Sequence, residues 1–391
     1  MTVTAEVVIP RPDVSEVALS RVTAALAAHA ARHDRTGEVP WDGLRIVHEA
    51  GLLTATVGAA HGGPALGLVD TARVLVALGE GDPSVALIVA NSLHTHAAQA
   101  AAPHWPEELY ADLLRRSLDG PAPVNAIRAE PELGAPARGG LPATTLTATA
   151  EGWTLSGRKS YATGGAALAY HVVWAVTDEP KPRVGHVLVP GDADGITWIE
   201  TWDHLGLRAS NTHDVVYDRT PVRSDAFVEI PRGEDGVYRD PAATPGIQSF
   251  WHPALYVGAA RAARSAFVAY ANDRVPTALG APIATTERIQ AVAGEIETQV
   301  AQAEALLFGT LARAEAGELE AVAPQLGVLK GAIARAVVAA ASTAVEALGN
   351  PGLSRRNSLE RHLRDVLCVR VHPPQLDAAQ IAAGRRVLGI S

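Results

Sequence analysis

A histidine beside two prolines, in the run His372-Pro373-Pro374-Gln375, is the first candidate for chemistry in this chain. An imidazole can donate a hydrogen bond and exchange a proton near pH 7, so His372 suits a reaction that moves protons. The alternative role for His372 is structural, as a buried and hydrogen-bonded histidine at the end of a helix. The residue types around it therefore decide which chemistry it could serve.

A second pair of histidines, His94 and His96, stands in an apolar stretch with helical spacing. Residues two apart on a helix point in different directions, so only one of the two can face a site, and we favour His96. A His-x-His pair can also bind a metal, but no Cys or carboxylate stands near it at ligand spacing. The sequence predicts a catalytic role for His96 and no metal site.

The bulk composition predicts a folded protein of the cytoplasm. Its 391 residues suggest two or three structural units, and 48% hydrophobic with 19% charged residues are typical of soluble proteins. A net charge of -9 offers no general attraction to nucleic acid or an anionic membrane. The single cysteine, Cys368, favours a reducing compartment. We find no signal-peptide pattern at Met1 to Pro12 and no uninterrupted apolar run of about eighteen residues, so we expect no membrane span.

Apolar periodicity divides the chain into a helical, a β and a second helical part. Helical spacing covers residues 14–33, 44–53, 68–78 and 84–102. Short runs rich in Thr, Val, Trp and Tyr follow between residues 124 and 228, with glycine turns and a hairpin turn expected at Glu151-Gly152. Apolar stripes at 289–307 and 326–341 suit a helix bundle. We predict an α+β protein with domains at 1–122, 123–230 and 231–391.

Several short motifs, spread over about three hundred residues, follow one another in a fixed order. None is specific alone, but each would have to arise independently by chance. In this order they resemble the acyl-CoA dehydrogenase superfamily. The resemblance implies an N-terminal helical domain, a central β-barrel or sandwich domain and a C-terminal four-helix bundle. The motifs are Gly51-Leu52-Leu53 with Gly62-Gly63, Asp82-Pro83-Ser84, Ala129 to Gly134, Gly157 to Gly164, Gly206 to Ser210, and Gly349-Asn350-Pro351-Gly352.

The same resemblance implies a flavin cofactor. Thr163 would donate to the flavin N5, Tyr161 would cover a ring face, and the loop at Glu130 would lie against the ring. Arg274 resembles the family's arginine that reaches the flavin phosphate of a neighbouring subunit, and a guanidinium suits phosphate because it binds two oxygens at once. The remaining predicted cofactor residues are Gly349, Gly352 and Gln375. We expect FAD, with FMN as the alternative, whereas Tyr161 and Thr163 taken alone would be ordinary strand residues.

The family's catalytic carboxylate is missing from both places where it is found. Matching from Arg364-Asp365 puts Pro373 at the first place, and counting back from Arg274 through Gly258 puts Gln248 at the second. An amide cannot act as a base near neutral pH. The chain is therefore similar to the family's flavin-dependent monooxygenases of the dibenzothiophene monooxygenase type, in which a histidine followed by a proline lies near the flavin, as His372 does here.

That branch implies a reaction of reduced flavin, delivered by a separate reductase, with O2 to give a C4a-hydroperoxide. We expect His372, His96 and Thr163 to be catalytic and the substrate to be a small aromatic or heteroaromatic compound. Residues expected to line a dry substrate pocket are His94, Phe250, Trp251, His252 and Tyr256. The fold suggests a homo-oligomer, a dimer or a tetramer. The alternatives are an acyl-CoA dehydrogenase with a relocated base and a flavin-binding or empty subunit without activity.

Overall fold

Helices flank a central β unit in the computed structural model, which describes residues 9–132, 141–234, 236, 238 and 246–390. The helical, β, helical order confirms the predicted α+β class. Two predicted features fall partly beyond these residues. They are Leu133 and Gly134 of the flavin-loop motif and residues 240–245 of the connector before the last helices, which lie outside the described part of the chain.

The N-terminal helices α1 and α4 each begin at a residue whose side chain caps the helix. Ser15 caps α1 by accepting the Ala18 amide, and Gly37, with φ of +67°, ends it in the left-handed conformation. Asp82 caps α4 ahead of Pro83, whose missing amide hydrogen suits the first helical position. The helices are α1 (Glu16–Thr36), α2 (Trp41–Glu49), α3 (Leu68–Gly81), α4 (Pro83–Ala101) and α5 (Glu107–Asp119).

The β unit is an eight-stranded sheet in the order β6-β7-β3-β2-β4-β5-β8, with β1 paired to β4 off this path. Most pairings are antiparallel, whereas β1 and β2 both run parallel to β4. Thr149 pairs with Gly152, so the predicted hairpin turn lies one residue earlier, at residues 150 and 151. The strands are β1 (Val124–Ile127), β2 (Thr145–Thr149), β3 (Gly152–Ala162), β4 (Tyr170–Thr177), β5 (Val184–Pro190), β6 (Ile196–Ile199), β7 (His213–Arg223) and β8 (Phe227–Glu229).

The C-terminal part is a bundle in which α6, α7, α9 and α11 pack together, with α12 against α9. The apolar stripes predicted from the sequence form its interior, since Ile296, Val300 and Leu307 of α7 are buried, as are Ile333 and Val337 of α9. The helices are α6 (Trp251–Asp273), α7 (Glu287–Arg313), α8 (Leu319–Val322), α9 (Leu326–Leu348), α10 (Asn350–Leu353), α11 (Leu359–Leu367) and α12 (Leu376–Leu388).

The N-terminal helices and the bundle share one hydrophobic core, whereas most of the β unit packs into a second core with α5. The shared core depends on close contact between the backbones of α3 and α6. A Cβ added to Gly79 would lie 2.0 Å from the Leu255 carbonyl oxygen, and one added to Gly258 would lie 2.0 Å from that of Val76. Only glycine fits at these crossings, which bring α6 against the N-terminal helices.

One stretch of the chain is long and apolar enough to span a membrane by length and composition alone. It covers Glu287–Leu348, with a mean hydropathy of 1.5 in its most apolar window. Polar residues such as Lys330, Arg335 and Ser342 interrupt it, so it contains no uninterrupted apolar run of about eighteen residues. The window is 56% buried, and the buried core helix of a globular protein passes the same test.

The β unit is fixed to the bundle beside the loop that carries His372. The Leu207 amide donates to the Asp365 carboxylate at 2.7 Å, and Arg364 donates to the Leu205 carbonyl oxygen at 2.8 Å. Arg364 also binds both carboxylate oxygens of Asp34 in α1. All three parts of the chain therefore meet at α11, which ends at Leu367, five positions before His372.

A buried ion pair holds the loop after β1 to strand β3. The Lys159 ammonium donates to Glu130 Oε1 at 2.7 Å, and both side chains are almost completely buried. Burial lowers the pKa of Lys159 to about 8, and the Glu130 carboxylate opposes this effect. The same carboxylate accepts hydrogen bonds from the amides of Ala143 and Thr144 and from the Thr144 hydroxyl.

We predict that Lys159→Met destabilises the protein by about 3–5 kcal/mol, because it leaves the Glu130 carboxylate buried without its cation. The free energy of unfolding, from urea titrations at pH 7, measures the effect. The double variant with Glu130→Gln should recover most of the loss, since no buried charge is then left unpaired. A Lys159→Met protein within about 1 kcal/mol of wild type would contradict the assigned role.

Candidate active site

His372 is held by a hydrogen bond from Tyr256, a buried residue of α6. The Tyr256 hydroxyl lies 2.5 Å from His372 Nε2. Burial raises the pKa of Tyr256 well above its usual value, so the phenol keeps its proton and donates it. Tyr256 has no exposed surface, and Nε2 of His372 is the partner of its hydroxyl among the described residues, so we assign the phenol as donor and Nε2 as acceptor. This assignment places the ring proton of the neutral imidazole on Nδ1. Nδ1 has no hydrogen-bond partner among the described residues and can donate to a bound group.

His372 is neutral at physiological pH. Burial lowers its pKa to about 3, and the charges of Lys330 and His94 act in the same direction. This corrects the expectation that His372 exchanges a proton near pH 7. A neutral imidazole fixed in one tautomer acts as a hydrogen-bond donor instead.

Two further histidines stack beside His372, and we call His94, His252 and His372 the imidazole cluster. The ring centroids of His252 and His372 lie 5.0 Å apart, and those of His94 and His252 lie 4.6 Å apart and stack at 29°. Burial lowers the pKa of His94 and of His252 as well, with their neighbouring cations contributing. His94 belongs to α4, His252 to α6 and His372 to the loop before α12. Contacts between their rings therefore connect these three segments.

His94, and not His96, is the histidine of α4 that reaches the cluster. The nitrogens of His94 lie 2.6 Å from the Ala90 and 3.0 Å from the Gln248 carbonyl oxygens. His96 points to the other side of the helix, where its Nδ1 lies 3.0 Å from the Tyr110 hydroxyl. The predicted preference for His96 is therefore not supported by this geometry.

Lys330 of α9 lies directly behind the His372 loop, and sequence reasoning missed it. It is 3% exposed and donates to the His372 carbonyl oxygen at 3.3 Å and to that of Pro373. Burial lowers the pKa of Lys330 to about 8, and no carboxylate pairs with it within the described residues. The feature of the sequence that could have identified Lys330 is its position inside the apolar stripe of α9, next to Leu329 and close to Ile333.

Neither position expected for a catalytic carboxylate supplies one. Pro373 lies beside His372 in the loop, and Gln248, in a single 3-10 turn before α6, offers its backbone carbonyl to His94. Across the part of the chain that the structure describes, no carboxylate hydrogen-bonds to the imidazole cluster. The site is built from three imidazole rings and the buried Lys330.

The aromatic residues expected to line a substrate pocket form the wall behind the cluster instead. Phe250 and Tyr256 have no exposed surface, and Trp251 is 2% exposed with its indole NH donating to the Leu68 carbonyl oxygen. These side chains exclude water from the back of the cluster. A cavity of about 410 Å³ is lined by Lys330, His372 and Gln375 among others, and none of these three aromatic residues lines it.

Three family models match consecutive parts of this chain. The acyl-CoA dehydrogenase N-terminal domain matches residues 14–116, the middle domain residues 127–220 and the C-terminal domain residues 250–374. The chain belongs to the acyl-CoA dehydrogenase family. The resemblance and the fold that the sequence predicted are thereby confirmed.

Two relatives show how diverse this family is in sequence. YdbM of Bacillus subtilis (strain 168), named as a candidate acyl-CoA dehydrogenase, is 29% identical over 362 residues, or 92% of this chain and 93% of YdbM. The L-evernosamine nitrososynthase of a Micromonospora species is 34% identical over 267 residues, or 66% of this chain and 61% of that enzyme.

Two solved members of similar fold contain a flavin. KijD3, solved with FMN and dTDP-3-amino-2,3,6-trideoxy-4-keto-3-methyl-D-glucose, is 27% identical with a TM-score of 0.77, covering 98% of this chain and 95% of KijD3. TdsC of Paenibacillus sp. A11-2, solved with FMN and indole, has a TM-score of 0.78 over 95% and 96% of the chains. At 20% identity TdsC shows the fold alone. This acyl-CoA dehydrogenase family member is a flavin-dependent oxidoreductase.

The residues expected to hold the flavin ring fit that role. The Thr163 hydroxyl accepts a hydrogen bond from Thr212 at 3.0 Å, and Thr212 bonds in turn with Ser210, so the Thr163 hydrogen is left to donate outward. Tyr161 is 62% exposed and held at φ of +60°, a strained conformation for a tyrosine. Strain at an exposed aromatic residue fits a ring placed to cover a cofactor face.

Other predicted cofactor residues lie in different surroundings. The Glu130 carboxylate is occupied by Lys159 and Thr144, so only the backbone of its loop remains for a cofactor. Arg274 lines a cavity of about 460 Å³ together with Pro351 of the glycine turn. Gly349 caps α9 at φ of +62°, and a Cβ at Gly352 would lie 2.6 Å from the Val345 carbonyl oxygen. Arg274 and the glycine turn therefore lie on the same surface, as a binding site for the flavin phosphate requires.

We predict that His96→Gln reduces the acid sensitivity of the fold. Burial lowers the pKa of His96 to about 4, below its unfolded value of 6.5. The unfolded chain therefore takes up the proton first, so the stability that neutral His96 contributes is complete above pH 6.5 and is lost as the pH falls towards 4. Glutamine can still accept from Tyr110 but does not titrate.

Urea unfolding at pH 7.5 and pH 5 measures the difference, which is about 1.4 kcal/mol for each pH unit between the unfolded pKa of 6.5 and pH 5, or about 2 kcal/mol. The control is His48→Gln in α2. An equal loss of stability on acidification in His96→Gln and wild type would contradict the assignment.

Proposed function

We propose that this chain is a flavin-dependent monooxygenase. The observation that carries the proposal is the contact of the Tyr256 hydroxyl with His372 Nε2, which leaves Nδ1–H of His372 as the donor to a bound group. Reduced flavin, when bound, supplies the two electrons that activate O2. One oxygen atom goes to the substrate and the other leaves as water.

A dehydrogenase is disfavoured because the site has no adequate base. Removal of the α-proton of an acyl thioester needs a group that binds a proton near the working pH. His372, with a pKa of about 3, is too weak for this, and burial lowers the pKa of His94 and His252 too. Pro373 and Gln248 cannot replace them.

The described residues can instead hold and shield an oxygen-transferring group. His372 would donate from Nδ1, whereas both nitrogens of His94 face backbone carbonyl oxygens and support the cluster from behind. Thr163 would donate to the flavin ring from the β unit. Phe250 and Trp251 keep water from the back of the cluster, which limits loss of activated oxygen as hydrogen peroxide.

We infer a small aromatic or heteroaromatic substrate, because stacked imidazole faces suit a flat ring. TdsC, with indole bound, is consistent with this substrate class. A second candidate is N-oxidation of an amino-sugar nucleotide. The 34% identity to L-evernosamine nitrososynthase favours it, and the same oxygen transfer would serve both substrates.

We further propose FAD or FMN delivered in reduced form by a separate reductase, in a homo-oligomer of the cytoplasm. Arg274 and the Gly349 turn would contact the flavin phosphate of a neighbouring subunit. FMN-bound KijD3 supports the smaller flavin. Copurified flavin and the oligomeric mass would identify cofactor and assembly.

We predict that His372→Ala releases hydrogen peroxide in place of product, with oxygen consumption kept. Indole, reduced flavin and O2 are the reagents, and product per oxygen consumed is the measurement. Tyr256→Phe should show a partial loss, because the ring still packs but no longer fixes the His372 tautomer. His96→Gln is the matched control and should keep the wild-type yield. Full product yield from the His372→Ala variant would contradict the proposed role of His372 as the donor.

Anaerobic mixing of the oxidised flavoprotein with a panel of acyl-CoA thioesters tests the reaction class. The proposal predicts that the flavin absorbance stays unchanged, since none of the described residues at the imidazole cluster is a base strong enough to take the α-proton. Bleaching by any thioester would establish the dehydrogenase alternative. A chain that retains no flavin and consumes no oxygen with a reductase would instead be a subunit without activity.

A further inference from the structure

A second group of ligating side chains lies at the junction of α1 and α2, apart from the imidazole cluster. One ligand atom each from His29, His33 and Asp42 lies within 4.8 Å of the other two. His29 and His33 are four residues apart on α1, so both rings project from the same helix face. Their centroids lie 5.9 Å apart at an angle of 19°. Two imidazoles and a carboxylate form a common ligand set for divalent transition metals.

His33 is oriented as metal-binding histidines are. Its Nδ1 lies 2.7 Å from the Asp82 carboxylate, and both side chains are almost completely buried. A carboxylate oxygen can only accept, so Nδ1 donates and the lone pair is left on Nε2. Nε2 is buried and has no hydrogen-bond partner among the described residues. A carboxylate behind the remote nitrogen fixes the tautomer that a metal requires.

Asp82 is itself held in place by the start of α4. Its Oδ1 accepts hydrogen bonds from the amides of Ser84 at 2.9 Å and Val85 at 3.4 Å, while Oδ2 faces His33. Gly43, next to Asp42, allows α2 to approach, since a Cβ there would meet His33 Cε1 at 3.5 Å and Val85 at 2.5 Å. The His33 ring is therefore fixed from both sides.

Arg32 provides the positive charge beside the side chains of His29 and Asp42. Arg32 Nη2 donates to Asp42 Oδ2 and lies 3.4 Å from His29 Nδ1, and Arg45 lies 3.6 Å from Asp42. The Arg32 side chain is half-exposed, so it can move into solvent without breaking the core. A metal ion would replace its guanidinium between the same two ligands.

We propose that His29, His33 and Asp42 bind a divalent transition-metal ion, with Zn²⁺ the best match and water in the fourth position. Zn²⁺ accepts tetrahedral sites with two imidazoles and one carboxylate. The ion would join α1 to α2, and through Asp82 to the first turn of α4, the helix that carries His94. Its role would be to stabilise this junction, independently of the flavin reaction.

Titration of the flavin-loaded protein with Zn²⁺ alone, followed by calorimetry and by the thermal unfolding midpoint, tests the proposal. Wild type should bind one Zn²⁺ per chain with a raised midpoint, because binding to the folded state alone stabilises it. His29→Gln and Asp42→Asn should each weaken this binding by about tenfold or more. Both residues are partly exposed, so the fold should survive.

Arg32→Gln provides the opposite test and should strengthen Zn²⁺ binding, because it removes the competing cation. His48→Gln is the control for unspecific binding to the other histidines and should bind as wild type does. Absence of a one-per-chain site in wild type would overturn the proposal. So would equal weakening in His48→Gln and His29→Gln, or unchanged affinity in Arg32→Gln.

Discussion

The hydrogen bond from Tyr256 to His372 is the interaction on which the candidate site depends. It is formed where water is excluded, so the phenol keeps its proton and the imidazole stays uncharged. One hydrogen bond thereby fixes both the tautomer and the direction of the remaining N–H. We propose that a site made in this way donates to an oxygen atom and does not remove a proton from carbon.

The fold supplies this environment by bringing three distant segments together. The glycine crossings of α3 and α6 place α6 against the N-terminal helices, so His94 of α4 can stack on His252. Lys330 of α9 binds the carbonyl oxygens of the His372 loop from behind. The buried charge of Lys330 also lowers the pKa of His372. Lys330 therefore both holds the loop in place and favours the uncharged imidazole.

The sequence predicted the fold well because apolar periodicity and capping residues act locally. The stripes of α7 and α9 and the Asp82-Pro83 start of α4 were visible without tertiary contacts. His372 was found by its place in an ordered set of motifs. The choice between His94 and His96 failed because α4 is buried on most sides, so periodicity could not say which face meets α6. Lys330 and the His29–His33 pair were missed because their partners lie in other segments of the chain.

A single turnover in the absence of substrate tests the central claim most directly. Protein loaded with reduced flavin is mixed with O2, and oxygen uptake and hydrogen peroxide release are followed separately. A dry site with a donor at His372 predicts that oxygen is consumed first and that peroxide appears after a measurable delay. Simultaneous oxygen uptake and peroxide release by the wild-type protein would contradict the account.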